Sequence, residues 1–228
     1  MTAGPARGLR SVTRGELEAL PAEIAPRLLG AHLTTVVGGE TVTVRLSEVE
    51  AYHGLGTGPM ADPGSHARMG PTARNATMWG KPGHLYVYLS HGIHSCVNVV
   101  CGPEGVAGGV LLRGGEIVAG AEAAARRRPA AKTVRDLARG PGRLGDAVGL
   151  RHSLHDGIDA ITGAEHHGAV ALLELRAEPV AEIAVGPRVG VAGIAGTAAF
   201  PWRFWIPGDP TVSAFRWGRG AAPAGPTD

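Results

Sequence analysis

The chain has 228 residues, of which 44% are hydrophobic and 18% charged, so it carries enough apolar sequence for a sizeable buried core. Its 22 Lys and Arg residues against 20 Asp and Glu leave a formal net charge of +2, which excludes a polyanionic tail or a histone-like coat but permits a local basic face. Two cysteines are too few for a disulfide scaffold, and the N-terminal sequence MTAGPARGLR lacks the apolar stretch of a secretory signal. No apolar run reaches the roughly 18 residues of a membrane span. We therefore expect a cytoplasmic protein without a membrane partner.

The first part of the chain predicts a short helix followed by a β-hairpin. Pro21 begins the helical sequence PAEIAPRLL, and Gly30 is placed to end it. Residues 32–52 then contain two strand-like runs, one on either side of the pair Gly38-Gly39. Such a glycine pair between two strand-like runs is typical of a tight hairpin turn. We expect this hairpin at the edge of a sheet.

The middle of the chain predicts a long functional loop and a β-meander. Residues 53–84 are rich in Gly, Pro, Ser, Asn and His without a sustained period, and ordered loops of that length usually have a function. Strand-like runs follow at 84–90, 93–101 and 106–118, separated by glycine-containing turns. Beyond them the pattern predicts a helix broken at Pro129, a helix after Pro141, and a return to strands in 169–191 and 201–208. The Gly- and Pro-rich ends, residues 1–9 and 218–228, are predicted to be mobile.

The strand TVTVRLSEVEAY carries an unusual pattern of carboxylates. Period-two alternation places one row of side chains on the same face: Val42, Val44, Leu46, Glu48, Glu50 and Tyr52. A carboxylate at the end of a buried apolar row is costly unless it has a partner or a function. Arg113 ends another apolar strand and offers such a partner. Either Glu48 or Glu50 forms a buried ion pair with it, or the carboxylate and guanidinium together hold and orient a water molecule.

Four possible zinc ligands lie within eleven residues: His91, His94, Cys96 and Cys101. Their spacing argues against a zinc site, because strand alternation places Cys101 on the opposite face from His94 and Cys96. We expect Cys96 to pack in the core, as buried free cysteines usually do. A small zinc-dependent enzyme is retained as an alternative that metal analysis would decide.

Several ordered motifs carry a resemblance to a known family. They are EVEAY at 48–52, HARMGPTARN at 66–75, MWGKPGHLYVYLSHGIHSCVNVV at 78–100, VLLRGGE at 110–116, LARGPGRL at 137–144, PRVGV at 187–191 and PWRFWIPG at 201–208. In this order, over roughly residues 10–216, they resemble the alkyladenine (3-methyladenine) DNA glycosylase family. The resemblance implies an α+β (mixed α/β) single domain, here residues 10–217, with a curved, mainly antiparallel sheet, flanking helices and a protruding β-hairpin. It also implies a monofunctional enzyme of base excision repair that flips alkylated or deaminated purines out of duplex DNA and hydrolyses the N-glycosidic bond without a metal or cofactor.

Carried over residue by residue, the resemblance makes Glu50 the carboxylate that activates water, with Arg113 and the backbone carbonyl of Val189 positioning that water. The chemistry is consistent with this role. Cleavage of a glycosidic bond passes through an oxocarbenium-like state, so a nearby carboxylate both accepts the proton of the water and stabilises the positive charge.

The resemblance also assigns the pocket for the extruded base. Tyr52 stacks on one face of the base, with His66 and Tyr88 on the other, and Asn98 excludes guanine by a clash with its exocyclic amine. Aromatic walls suit an electron-poor alkylated purine, which they hold by stacking and cation–π attraction.

Three further residues are implied to contact DNA: His91, Ile93 and Arg143. His91 departs from the family, which usually presents a tyrosine there to fill the space left by the flipped base. An imidazole is smaller than a phenol, so flipping is the step most affected, and a catalytically weak DNA-lesion binding protein is the alternative function. The arginines 126–128 are further candidate phosphate contacts. We expect the partner to be double-stranded DNA containing damaged purines, bound by a monomer that is nucleoid-associated in a bacterium.

Overall fold

The computed structural model describes residues 8–57 and 60–222, and these form one sheet of nine strands with short helices beside it. The strands are β1 (Leu9–Ser11), β2 (His32–Val37), β3 (Glu40–Tyr52), β4 (Leu85–Ser90), β5 (His94–Val100), β6 (Gly109–Ala119), β7 (Ala169–Arg176), β8 (Ala184–Gly186) and β9 (Arg203–Trp205). Their order is β1-β7-β2-β3-β6-β5-β4, while β9 pairs with β3 and β8. Neighbouring strands are antiparallel. The predicted mixed α/β class with a mainly antiparallel sheet is confirmed.

The hairpin of β2 and β3 forms as the glycine pair predicts. Gly38 and Gly39 have φ values of 61° and 79°, which is the left-handed conformation that a type I′ hairpin turn requires at both positions. The predicted place of this hairpin at the sheet edge is wrong. Strand β2 also pairs with β7, and β3 also pairs with β6 and β9, so the hairpin lies inside the sheet. The local pattern of residues 32–52 does not reveal partners that come from distant parts of the chain.

Strands β4, β5 and β6 form the predicted meander, and the turn between β4 and β5 projects from it. Ser90 pairs with His94, which leaves residues 91–93 as the tip. His91 has a φ of 50°, and Ile93 at the tip is 72% exposed. The predicted protruding hairpin is therefore present, with its apex at the expected residues.

Short helices flank the sheet: α1 (Pro21–Ile24), α2 (Ala121–Arg127), α3 (Pro141–Val148) and α4 (His152–His155). The prediction of a second helix after Pro129 is wrong, because only one 3-10 turn, Val134–Asp136, forms there. No residue of this turn is buried and Val134 is 60% exposed, so the turn itself presents no apolar face that packing against the sheet would stabilise.

Helix α3 lies unusually close to strand β5. A Cβ atom placed on Gly145 would come within 1.9 Å of the carbonyl oxygen of Ser95, so only glycine fits at this contact. The apolar side of the helix, including Leu144 and Val148, is fully buried in the main core. This packing places the first turn of α3 beside the hairpin tip.

The predicted domain bounds of 10–217 and the predicted mobile ends at 1–9 and 218–228 stay predictions, because residues 1–7 and 223–228 lie outside the described part of the chain. Within that part, Leu9 already pairs with Arg176, and Ala221 is buried. None of the helices described is long and apolar enough to cross a membrane.

Candidate active site

The C-terminal half of β3 brings two carboxylates into the protein interior. Glu48 and Glu50 are both fully buried. The pairing of β3 with β6 is irregular on both sides of Glu48, where a bulge interrupts the register. Bulges of this kind re-aim side chains, and here both carboxylates reach the same guanidinium, that of Arg113.

Glu50 is held by groups that line the neighbouring cavities. The backbone N–H of Val189 donates to its Oε1 at 2.7 Å, and the hydroxyl of Tyr52 donates to its Oε2 at 2.9 Å. The Nε of Arg113 lies 3.5 Å from Oε1. The residue expected to act through its carbonyl, Val189, thus contacts Glu50 through its amide. Both oxygens of the Glu50 carboxyl group therefore act as hydrogen-bond acceptors.

Glu48 is occupied by a different set of partners. Its Oε1 accepts from Nε of Arg203 at 2.7 Å and from Nε of Arg113 at 3.2 Å. The N–H of Ser213 donates to Oε2 at 2.7 Å, and its hydroxyl donates to Oε1 at 3.0 Å. Glu48 is therefore the structural carboxylate of the pair, and Glu50 is the one that adjoins the cavity walls.

Arg113 keeps its charge between these carboxylates. Burial alone would lower the pKa of its guanidinium, but the negative charges of Glu50 and Glu48 outweigh burial and hold that pKa above its ordinary value. A second hydrogen bond, from Nη2 to the hydroxyl of Ser213 at 3.2 Å, fixes its orientation. The cation is thus available to hold a water molecule or an anion beside Glu50.

A cavity of about 420 Å³ brings together the residues assigned to base binding. Tyr52 from β3, His66 from the long loop, Tyr88 from β4 and Asn98 from β5 all line it. Its volume and its mixture of aromatic and polar walls suit a single purine-sized ligand. The structure therefore assembles these four predicted residues around one space.

His66 contributes a neutral imidazole to the polar wall of this base cavity. The His66 ring meets the Tyr88 ring edge-on, with 4.5 Å between centroids, and its Nδ1 lies 3.2 Å from the hydroxyl of Tyr86. Burial, aided by the charges of Arg74 and Arg68, lowers the pKa of His66. A neutral imidazole does not repel a cationic base.

Tyr86 is a cavity residue that sequence reasoning did not assign. It lines the base cavity, and its backbone carbonyl accepts from Nδ2 of Asn98 at 3.0 Å, which fixes the orientation of that amide. Burial raises the pKa of the Tyr86 phenol to about 12, so it remains protonated. The available signal was its spacing of two from Tyr88, which places both rings on the same face of β4.

A wider groove of about 840 Å³ shares Tyr52 and Tyr88 with the base cavity and extends to the hairpin tip. Its lining includes Arg113 and Val189 from the site, and His91 from the tip. It also includes four further cationic side chains, those of Arg128, Lys132, Arg143 and Arg216, and one acidic side chain, that of Asp136. Ile93 is exposed at the tip but is not one of the described lining residues. This groove is the candidate nucleic-acid interface.

Lys132 lines the wider groove. It lies beyond α2, in the segment where the predicted second helix does not form. Lys81, the other lysine of the chain, lines neither described cavity.

The arginine run 126–128 has divided roles. Arg126 forms an ion pair with Glu40, and Arg127 lies 3.3 Å from the same carboxylate and also donates to the carbonyl of Val37. These contacts hold α2 against the β2–β3 hairpin. Only Arg128 of the three lines the groove.

The possible zinc ligands are not brought together. Cys96 and Cys101 are buried, and burial raises the pKa of each thiol, whereas His91 is exposed at the hairpin tip. Across residues 8–57 and 60–222 no group of three or more His, Cys, Asp or Glu side chains is arranged to hold a metal ion.

Comparison with known proteins gives consistent results. The family profile described as methylpurine-DNA glycosylase matches residues 16–210. A protein of Leifsonia xyli subsp. xyli named "Putative 3-methyladenine DNA glycosylase" is 50% identical over 198 residues, which cover 85% of this chain and 87% of that protein. Proteins of the same name from Nocardia farcinica and Streptomyces avermitilis are 51% and 47% identical, covering 88% and 85% of this chain and 90% and 86% of theirs.

Proposed function

This chain belongs to the methylpurine-DNA glycosylase family of DNA repair hydrolases, and we propose on that basis that it is a monofunctional glycosylase that flips alkylated or deaminated purines out of duplex DNA and hydrolyses their N-glycosidic bond. One observation carries the proposal. The buried carboxylate of Glu50 directly adjoins Tyr52, Arg113 and Val189, which line the cavities where a base and its sugar would lie.

The proposed reaction uses Glu50 as the general base. A water oxygen attacks C1′ of the deoxyribose while the bond from C1′ to the base nitrogen breaks, and its electron pair leaves with the base. Glu50 accepts the proton of the water, and its negative charge stabilises the oxocarbenium-like transition state. We assign the orientation of this water to Arg113, and its Nε at 3.5 Å from Oε1 of Glu50 supports that role. The products are a free base and an abasic site. A cationic alkylated base leaves in neutral form, whereas a deaminated base leaves as an anion and takes up one proton from the solvent.

Base recognition follows from the neutral, aromatic lining of the cavity. A base alkylated on a ring nitrogen carries positive charge, which favours stacking on Tyr52 and Tyr88. Neutral His66 adds no repulsion. Asn98, held by Tyr86, presents an amide that would clash with the exocyclic amine of guanine. The pocket thus favours adenine-derived and deaminated bases.

DNA binding is proposed at the wider groove, where Arg143 and its neighbouring cations face the phosphates and His91 enters the space left by the flipped base. The smaller imidazole at this apex is the observation that favours the alternative function, a catalytically weak lesion-binding protein. We expect the protein to bind as a monomer, which sedimentation with and without duplex DNA would check.

The decisive experiment is single-turnover excision from duplexes that contain hypoxanthine or 3-methyladenine. The proposal predicts release of the free base and an abasic strand that stays intact until it is treated with alkali. Tight lesion binding without base release would support the alternative instead. A covalent adduct trapped by borohydride would show a lyase, for which Lys132 in the groove is the candidate amine.

A further inference from the structure

A second buried arginine lies beside the base cavity without lining it. Arg188 is fully buried and immediately precedes Val189, whose N–H holds Glu50. It is not among the described residues that line either cavity, although Tyr52, Val189 and Val191 are. Arg188 therefore lies behind the cavity wall, and the reaction described above gives it no role.

The guanidinium of Arg188 joins three separate parts of the chain. It forms a two-pronged ion pair with Asp62, with distances of 2.8 Å from Nη1 to Oδ2 and 2.7 Å from Nη2 to Oδ1. The same nitrogens donate to the carbonyls of Ala51 on β3 and Ala195 in the Gly193–Gly196 turn, each at 3.1 Å. Asp62 is itself fully buried. A single side chain thus ties the end of β3 to the long loop and to the segment after PRVGV.

Asp62 fixes the part of the long loop that leads to His66. Its carboxylate accepts from the N–H of His53 at 3.1 Å and from the N–H of Gly64 at 2.9 Å. Gly64 lines the base cavity and lies two residues before His66. The ion pair of Arg188 with Asp62 therefore fixes the position of the cavity wall that contains Gly64 and His66.

Arg188 also supports the opposite wall. Its Cζ lies over the Tyr52 ring, 4.4 Å from the centroid, while the Tyr52 hydroxyl donates to Glu50. Burial alone would lower the pKa of Arg188, but the hydrogen bond and charge of Asp62 outweigh burial and hold that pKa above its ordinary value. A charged planar group behind the ring fixes the plane on which a base would stack.

We propose that Arg188, paired with Asp62, is a positioning residue for base excision, because it sets the plane of the Tyr52 wall and the place of the Val189 donor to Glu50. This role rests on the glycosylase function proposed above. Arginine is suited to it because its rigid fork bonds a carboxylate with both prongs and stacks on an aromatic ring, whereas lysine supplies only a point charge. The pair acts on the reaction through Tyr52 and Glu50 and touches no substrate.

The test compares Arg188→Lys, which keeps the charge but loses the fork, with the wild type. Because Arg188 is buried behind the groove, affinity for undamaged duplex should be unchanged. The single-turnover excision rate at saturating enzyme should fall by roughly 10- to 100-fold, the effect of misplacing reacting groups by about an ångström. The assay is run at a temperature where circular dichroism shows the variant to be folded, so lost stability alone would not lower this rate.

Arg45→Lys is the matched control. Arg45, on β3, likewise forms an ion pair with an aspartate, Asp209, at 2.7 Å, but it lines neither described cavity. This variant should keep the wild-type rate.

Asp62→Asn provides an independent route to the same result and remains informative if Arg188→Lys does not fold. If Arg188 and Asp62 act as a unit, the double variant should lose no more activity than the worse single variant. A folded Arg188→Lys with the wild-type rate, or losses that multiply in the double variant, would overturn the proposal. A wild-type protein that excises neither base would instead refute the glycosylase function itself.

Discussion

Glu48 and Glu50, two residues apart on β3, both face the Nε atom of Arg113, at 3.2 Å and 3.5 Å. One cation thus lies between two buried carboxylates whose other partners differ. Those of Glu48, Arg203 and Ser213, belong to the C-terminal part of the chain, whereas those of Glu50, Tyr52 and Val189, line the groove. This division predicts separable effects when either carboxylate is removed.

Glu50→Gln should abolish most of the chemistry while keeping DNA binding. The amide has the size of the carboxylate but does not accept the proton of water, so the single-turnover rate should fall by the ~10²–10⁴ typical of a positioned general base. Excision assays at saturating enzyme measure this, and a gel-shift titration checks binding. Near-normal excision would remove Glu50 from the proposed role.

Glu48→Gln should mainly lower stability. The substitution leaves the buried charges of Arg113 and Arg203 with one carboxylate fewer, and breaking a buried ion pair in this way costs about 3–5 kcal/mol. Urea unfolding should show the loss, while the excision rate of the folded variant should fall much less than that of Glu50→Gln. A larger loss of rate in Glu48→Gln than in Glu50→Gln would reverse the assignment of the two carboxylates.

Arg143→Ala should weaken binding to any duplex and reduce its salt dependence. Arg143 is exposed and lines the groove, and loss of one phosphate contact should lower the slope of log affinity against log salt by about one unit. Arg126→Ala is the control, because Arg126 is paired with Glu40 and does not line the groove. Equal slopes for Arg143→Ala and wild type would place the phosphate contacts elsewhere.

His91→Tyr should tighten lesion binding and slow product release, whereas His91→Ala should weaken excision further. A phenol fills more of the vacated base stack than an imidazole, so the flipped state should be more populated, and apparent affinity rises with that population. The His91 ring hydrogen-bonds its neighbour, with Nδ1 3.0 Å from the hydroxyl oxygen of Ser90. If both variants bound and excised like the wild type, His91 would be an ordinary surface residue.

His66 should make the folded protein less stable in mildly acidic solution. Its folded-state pKa lies below the ordinary 6.5, so between those two values the unfolded chain binds more protons. Its contribution to stability is therefore complete above pH 6.5 and is lost as the pH falls toward the lowered pKa. Urea unfolding at pH 7.5 and 5.5 should show a smaller loss for His66→Gln, which does not titrate. Parallel losses in both proteins would contradict this.

The local sequence pattern predicted the individual strands and turns better than it predicted which strands pair with each other. Alternation gave β3, and the Gly38-Gly39 pair gave its hairpin, because both depend on residues adjacent in the chain. The pairing of β2 with β7 depends on residues more than 100 positions apart, so no local signal marked it. For the same reason the motif PRVGV drew attention to Val189 but not to Arg188, whose partner Asp62 is 126 residues away.

The assembly of the site was predictable only with the help of the family resemblance. Alternation placed Glu48 and Glu50 together but left open which of them was structural. Val189 of the PRVGV motif donates to Glu50, whereas Ser213 donates to Glu48. The sequence around neither donor shows which of the two carboxylates it contacts. The roles assigned to Tyr52, His66, Tyr88 and Asn98 remain predictions, although the structure places all four around one cavity.

The close approach of α3 to β5 depends on the absence of a side chain at Gly145, because a Cβ atom there would collide with the Ser95 carbonyl. Arg143 lies on α3, and His91 lies in the turn between β4 and β5. The distance from α3 to β5 therefore sets the separation of the proposed phosphate contact from the proposed base-stack contact. A methyl group at position 145 would push α3 away from β5 and increase the distance between Arg143 and His91. The spacing of these two proposed DNA contacts is therefore set inside the protein, at the buried Gly145.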